Sequence, residues 1–495
     1  PAGVLRGSNV LEFEAVGDGG FPFDVFLVNW FEVEGPRKLE ARGDRLSFEA
    51  EGSNPLKISG FSRGGIEIFD VTDPREPAEI APFRVRAEGG GSYSASFQDS
   101  QAPRGVRRYL AVAGEGVGSP SVAVPPREGD LRSPENRGDY LVITAAPFRA
   151  ALEPLLALRR GEGLETRAVE AEAIYDQFGF GNKSPEAIRR FVSEAGASWE
   201  VPPRFLLLAG GASFDPRGYL GTGREDFVST RLFFTRKYHY EAADDGYFAG
   251  GIPQGADGVA VGRLPAQSPE EMAAAVSKIV EYETLQADHP RNSALFIADD
   301  RNARSGLPDP TFEMTSDALA DGLADAGVAI RRLSLRQEPD PRASFFSSLE
   351  AGVDLVNFLG HGGPQAWTSA GLLRAADAAS LPNGPGSYFT VFSLTCFDGI
   401  FTYAYGDSLA WSLVKAEGRG AVAAFASSTI LDPGPHAELD RWILEGAYRE
   451  GPWRLGELIR GAESRVDASS PTALDMVDSY NLIGDPALRL RWGER

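Results

Sequence analysis

Two short apolar runs constrain this chain more than any other feature, because each of them ends in a residue with chemistry. The run VDLVNFLG at 353–360 leads into His361 and Gly362, and the run YFTVFSLT at 388–395 leads into Cys396, the only cysteine of 495 residues. Runs this short, apolar and rich in β-branched and aromatic residues read as buried strands. Between them, residues 372–381 are Ala-rich with apolar residues at helical spacing, which predicts the crossover helix that two parallel neighbours need. The carboxyl ends of the two strands then lie side by side, where open α/β sheets carry their sites.

A thiol is a weak nucleophile until it ionises, so an imidazole able to take its proton is what chemistry at Cys396 requires. Gly362 would let backbone approach a substrate closely, and its N–H together with that of Cys396 would form an oxyanion hole. The plainer reading of the same residues is a small buried thiol and a histidine with an ordinary structural partner.

A chain of this length is too long for one core and implies two or three domains. Its net charge of −21, from 70 acidic against 49 basic residues, argues against nucleic acid or an anionic membrane as partner. The surplus of carboxylates is compatible with structural Ca²⁺, while the expected chemistry requires no cofactor. One cysteine excludes an intramolecular disulfide and a Cys-rich zinc site, and leaves the redox compartment open. The chain begins PAGV, without an initiator Met. It has no signal-peptide pattern and no apolar run long enough to span a bilayer. It reads as a processed or cloned fragment, which leaves a removed signal open.

Residues 1–123 carry short alternating segments at 25–33, 46–50 and 65–71, separated by Gly, Pro, Asp and Asn clusters. This pattern predicts an all-β sandwich or jelly roll. Residues 124–138, with Pro125, Pro126 and Pro134, read as a linker. Beyond them strands and helices alternate, giving a parallel sheet flanked by helices in two sub-domains, 139–290 and 291–495. Expected helices include 150–160, 184–195, 268–287 and 315–326. Ser184-Pro185 and Ser268-Pro269 each place Pro at the first helical position after a Ser cap. The Gly-rich stretches at 114–118 and 179–184 lack the full nucleotide fingerprints and read as turns.

The strings around the pair are more specific than the pair itself. NFLGHGG at 357–363, with Trp367 six residues past the histidine, resembles the His-Gly segment of gingipain-type proteases, the C25 family of caspase-like cysteine peptidases. SLTCFDGIF at 393–401 is similar to that family's nucleophile segment, and GAVAAFASSTI at 420–430, YNLIGDPAL at 480–488 and VGRLP at 261–265 extend the resemblance over roughly residues 139–492. It implies a caspase-like α/β fold and a secreted or surface-associated cysteine endopeptidase acting on protein or peptide substrates. It also implies His361 as base, Cys396 as nucleophile, and the Gly362 and Cys396 amides as oxyanion donors. A prodomain or a C-terminal targeting domain would lie outside this chain. Family members often orient the histidine with an acid after the strand that opens the second half. Asp300 is the favoured candidate here, with Asp299 open, and capping a strand end or holding a loop is the plainer role for either.

Specificity does not carry over. Where Arg-specific gingipains have an S1 aspartate this chain aligns near Phe312 and Glu313, and where they have a pocket tryptophan it has Asp432, Pro433 and Gly434. Glu313 or Asp398 would be the partner of a basic P1 side chain. Trp367 and Thr395 complete the expected substrate-binding residues. Asp244, Asp245 and Asp257 are the candidate calcium ligands, although their spacing is not that of an EF-hand loop. His239, His289 and His436 lack metal-ligand spacing. The segment IFDVTDP at 68–74 resembles the β domain that precedes sortase-like members of the family. Two other readings therefore stand beside hydrolysis: transpeptidation of secreted proteins, and a non-catalytic binding scaffold.

Overall fold

The computed structural model describes residues 10–14, 31–32, 37–51, 53–74, 76–99, 105–119, 128–250, 258–285, 292–300, 309–450 and 454–491. The chain divides into two compact units, Pro1–Val124 and Pro125–Arg495.

In the first unit two antiparallel sheets enclose one core. One has the order Arg45–Glu51, Val106–Ala113, Ile66–Asp70, Ala78–Glu79, and the other Leu56–Phe61, Ser92–Phe97, Arg84–Gly89. Alternation places Ile58, Phe61, Ile68, Phe97 and Tyr109 in the buried layer, as expected of strands with one wet face. Of the expected strand at 25–33, residues 25–30 and Val33 lie outside the described residues.

The second unit is built on one ten-stranded sheet. Five strands, Ala329–Ser334, Ser293–Ala298, Leu355–Leu359, Phe389–Leu394 and Ala421–Ser427, pair in parallel in that order. The other five, Tyr480–Ile483, Ala260–Leu264, Phe205–Ala209, Tyr140–Thr144 and Thr166–Glu170, are also parallel to one another. The two sets meet antiparallel, Ser427 opposite Tyr480. The last strand, Tyr480–Ile483, pairs into the set formed by the early strands. Strands at the centre are buried on both faces, which is why they read as continuous apolar runs.

Ser184 and Ser268 cap their helices as expected, accepting from the Ala187 and Glu271 N–H groups at Pro185–Ser198 and Pro269–Thr284. The helix expected at 315–326 runs over Thr311–Asp321 and is followed by a 3₁₀ turn, Ala324–Ala326. The crossover expected as a helix at 372–381 is different. It consists of a small sheet, Gly362–Gly363, Ala366–Trp367 and Leu373–Arg374, followed by a 3₁₀ turn, Ala375–Ser380. The Ala-rich stretch is too short for an α-helix because Pro382 follows it, and Asp377 caps the Arg374 N–H while its carboxylate is held by Arg342. In the stretch expected as a linker, residues 128–138 pack onto this unit. Leu131 is buried and its carbonyl accepts the Trp199 indole N–H at 3.0 Å.

The late return of the chain is locked by a buried charge cluster. Arg159, in the helix Arg149–Gly161, donates to Asp485 (2.6 and 2.9 Å), Glu283 (2.6 and 3.0 Å) and Glu162 (2.8 Å), and the Tyr140 hydroxyl donates to Asp485 at 3.0 Å. Removing one member of such a cluster leaves buried charge uncompensated. Arg159→Ala is expected to destabilise this unit by about 3–5 kcal/mol. Urea unfolding followed by tryptophan fluorescence measures it, since six of the seven tryptophans lie beyond residue 124.

Candidate active site

The strands Leu355–Leu359 and Phe389–Leu394 are parallel neighbours, and their last paired residues are Leu359 and Leu394. His361 and Cys396 each follow two residues beyond that pair, so sheet register brings the two turns together. The contact between them is close. A Cβ on Gly362 would meet Thr395 Oγ1 at 2.7 Å, Thr395 Cγ2 at 2.8 Å and the Cys396 carbonyl oxygen at 3.1 Å. Only a residue without a side chain fits there. Gly360 is under the same constraint, because a Cβ would stand 2.5 Å from Asp299 Cβ.

Three neighbours fix the histidine turn. Its backbone N–H donates to Asp299 Oδ2 at 3.1 Å, and its carbonyl accepts the Thr368 N–H at 2.8 Å. The edge of the Phe312 ring meets the imidazole, with centroids 5.1 Å apart at 87°. Burial raises the Asp299 carboxyl above its ordinary value, against the lowering by the His361 and Asp300 N–H groups and the His361 charge. Asp300 donates its backbone N–H to Asp299 and accepts the Asp309 N–H on its own carbonyl. Of the two expected orienting acids, Asp299 is thus the one hydrogen-bonded to His361.

Cys396 is half-buried. The Leu431 N–H points at its sulfur, 3.5 Å away. Burial pushes the thiol above its usual range and the Asp398 charge adds to this, with the Leu431 amide working the other way. Phe397, the next residue, has φ of +64°, a left-handed conformation that is uncommon for a large side chain and held by its surroundings. Its N–H donates to the Thr429 carbonyl at 3.0 Å, and its ring packs edge-on against Tyr240 at 5.5 Å. Tyr240 lies in the turn of the hairpin formed by Arg231–Phe234 and Glu241–Asp244. Neither the Leu431 amide nor Tyr240 is visible as a site residue in sequence. The first is a backbone group, and the second reaches the site from the other half of the unit.

The expected substrate contacts are placed differently. Trp367 is fully buried: its indole N–H donates to Ser393 Oγ (2.9 Å) and Asp398 Oδ2 (2.8 Å), and its ring stacks on Phe358 at 4.4 Å. Asp398 is 1% exposed, with its carboxyl pushed up to about 7 by burial against the lowering by Ser393 and Trp367. Thr395 is buried against Gly362. Glu313 is ion-paired with Arg336 and accepts from Gln337 at 2.5 Å. These four line the interior or are already engaged, because the turns fold their polar groups inward to hold each other.

The candidate calcium ligands Asp244 and Asp245 are taken up by Arg231 (2.8 Å) and by Arg263 (2.6 and 2.8 Å). Asp257 lies outside the described residues, and among these no group of three or more His, Cys, Asp or Glu stands placed to hold a metal. His239 is exposed in a turn, with φ of +52°. His436 is buried, and burial holds its imidazole down at about 4. His289 lies outside the described residues. No helix among the described residues is long and apolar enough to cross a membrane.

The model of peptidase family C25 matches residues 133–491, most of the chain, with His361 and Cys396 inside the match. The chain belongs to peptidase family C25. It is a cysteine endopeptidase of gingipain-like fold. The Arg-specific cysteine proteinase gingipain R superposes with a TM-score of 0.58 at 18% identity, over 74% of this chain and 80% of its own. The complex of the pro- and mature domains of Porphyromonas gingivalis RgpB gives 0.58 at 19%, over 72% and 80%. No curated protein matches in sequence.

Gly362→Ala is expected to force the two turns of this peptidase apart and to lower kcat/KM by roughly 10²-fold, the cost of a displacement near 1 Å. Thr395→Ala in the same chain should recover part of that loss, since Thr395 Oγ1 and Cγ2 are the atoms the new methyl group meets. Steady-state kinetics on a shared peptide substrate measures both.

Proposed function

We propose that this C25 peptidase cleaves proteins through Cys396 as nucleophile and His361 as base, with Asp299 holding the histidine turn. The observation that carries this reading is the register of Leu359 with Leu394, which starts both turns from one level of the sheet. The imidazole takes the thiol proton as sulfur attacks the scissile carbonyl carbon. The oxyanion that forms is met by the Gly362 and Cys396 amides. Collapse expels the amine, which leaves with the proton from His361, and an acyl-enzyme remains. His361 then removes a proton from water, which attacks the thioester and releases the acid and the thiol.

Four carboxylates near the pair are already engaged. Glu313 is held by Arg336, Asp432 by Lys237 and Asp299 by the His361 amide, and Asp398 is buried. Cleavage after a neutral residue follows, since a basic P1 side chain would have to displace an existing partner. Secretion or surface display belongs to the same proposal, as does control by a pro-segment outside this chain. Family membership and the pro- and mature-domain complex of RgpB support both.

Electrophilic peptide ketones with Arg, Lys and neutral P1 residues test the assignment by intact mass. Wild type is expected to gain one adduct, fastest with neutral P1, and Cys396→Ala none. His361→Ala should slow labelling by roughly 10²–10⁴-fold, the usual worth of a positioned general base. Equal labelling of wild type and His361→Ala would overturn the pairing. A product that incorporates an added amine would move the reading from hydrolysis to acyl transfer.

A further inference from the structure

Asp398 has no place in the chemistry above, yet it is bonded to groups on both sides of the pair. It lies two residues past Cys396 and is buried. One oxygen, Oδ2, receives the Trp367 indole N–H at 2.8 Å and the Ser393 hydroxyl. Ser393 belongs to the strand that delivers the nucleophile. Trp367 belongs to the short hairpin that starts after His361: it pairs with Gly362, and the following residue, Thr368, donates to the His361 carbonyl at 2.8 Å. A single carboxylate oxygen therefore joins the cysteine turn, the cysteine strand and the histidine hairpin.

The rest of the surroundings makes this joint rigid. The indole stacks on Phe358 of the histidine strand at 11° between planes and meets the edge of Phe345 at 6.2 Å. The Tyr480 hydroxyl donates to the Ser393 carbonyl at 3.3 Å and approaches that of Thr395 at 3.5 Å. The other oxygen of Asp398, Oδ1, is buried with no hydrogen-bond partner among the described residues. A carboxyl kept in such a place costs stability unless it returns something specific.

We infer that Asp398 is a positioning residue that clamps the His361 hairpin to the Cys396 turn through the Trp367 indole N–H. The inference rests on the assignment of Cys396 and His361 as the reacting pair. The clamp acts on the geometry of attack and leaves substrate binding alone, so its loss reads out in kcat. Trp367→Phe removes only the donor and keeps an aromatic ring to stack on Phe358, whereas Asp398→Ala removes the acceptor. Asp398→Asn keeps an amide oxygen able to accept the same N–H.

The test is a double-mutant cycle on kcat in the full-length protein, with each variant's thermal midpoint recorded alongside. Asp398→Ala and Trp367→Phe should each lower kcat by roughly 10²-fold, with KM within about twofold of wild type. The double variant should be no slower than the slower single one, and Asp398→Asn should recover at least about tenfold of the alanine loss. Additive losses, or lowered thermal midpoints with kcat unmoved, would overturn the clamp. If Asp398→Ala does not fold, the comparison of Trp367→Phe with Asp398→Asn still decides, because a clamp predicts a kcat loss in the first and a smaller one in the second. Wild type that neither cleaves peptides nor labels at Cys396 would instead remove the reading on which the inference stands.

Discussion

The site depends on one pairing, Leu359 against Leu394 in adjacent parallel strands. Both faces of these strands are buried, so a slip of one residue would exchange the side chains packed into each layer and break their fit. The same burial that holds the sheet together therefore sets where His361 and Cys396 emerge. Everything above the strand ends elaborates that placement: glycines at 360 and 362 permit the approach, Asp299 holds the histidine turn, and Phe397 accepts an unfavourable backbone angle to turn the chain sharply after the thiol.

Most polar groups around the site are buried and hydrogen-bonded to one another, with Asp398 Oδ1 and Thr395 Oγ1 as exceptions among the described residues. Burial holds Cys396 above its ordinary pKa, the direction expected of a thiol taken out of water. The nearby acids serve as structural partners: Asp299 for a backbone N–H, Glu313 for Arg336, Asp398 for Trp367 and Ser393. A polar interior of this kind trades stability for geometric definition, and the buried Arg159 cluster does the same where the last strand re-enters the sheet.

Much of the fold was legible in sequence, because the informative signals were local. The buried strands announced themselves as apolar runs, and Ser184 and Ser268 announced helix starts by cap chemistry that needs no partner. The return of Tyr480–Ile483 to the early half was not legible, since a four-residue run does not specify its neighbour. Trp367, Asp398 and Glu313 were expected to face substrate for the same reason: an aromatic or acidic residue near a catalytic string looks exposed until the packing around it is known. Asp299 and Asp300 are adjacent in sequence, and the structure shows Asp299 accepting the His361 N–H. The Ala-rich stretch after Leu373 had helical composition, yet the proline that closes it left room for no more than a 3₁₀ turn.

The central claim is that sheet register sets His361 within reach of the Cys396 thiol. The pH dependence of iodoacetamide alkylation of Cys396, followed by intact mass in wild type and His361→Ala, tests it most directly. If the imidazole accepts the thiol proton, wild type will reach half its maximal alkylation rate at a distinctly lower pH than His361→Ala, in which burial alone sets the ionisation. Coincident profiles for the two proteins would mean that the histidine and the thiol do not meet, and the account of the site would fall with them.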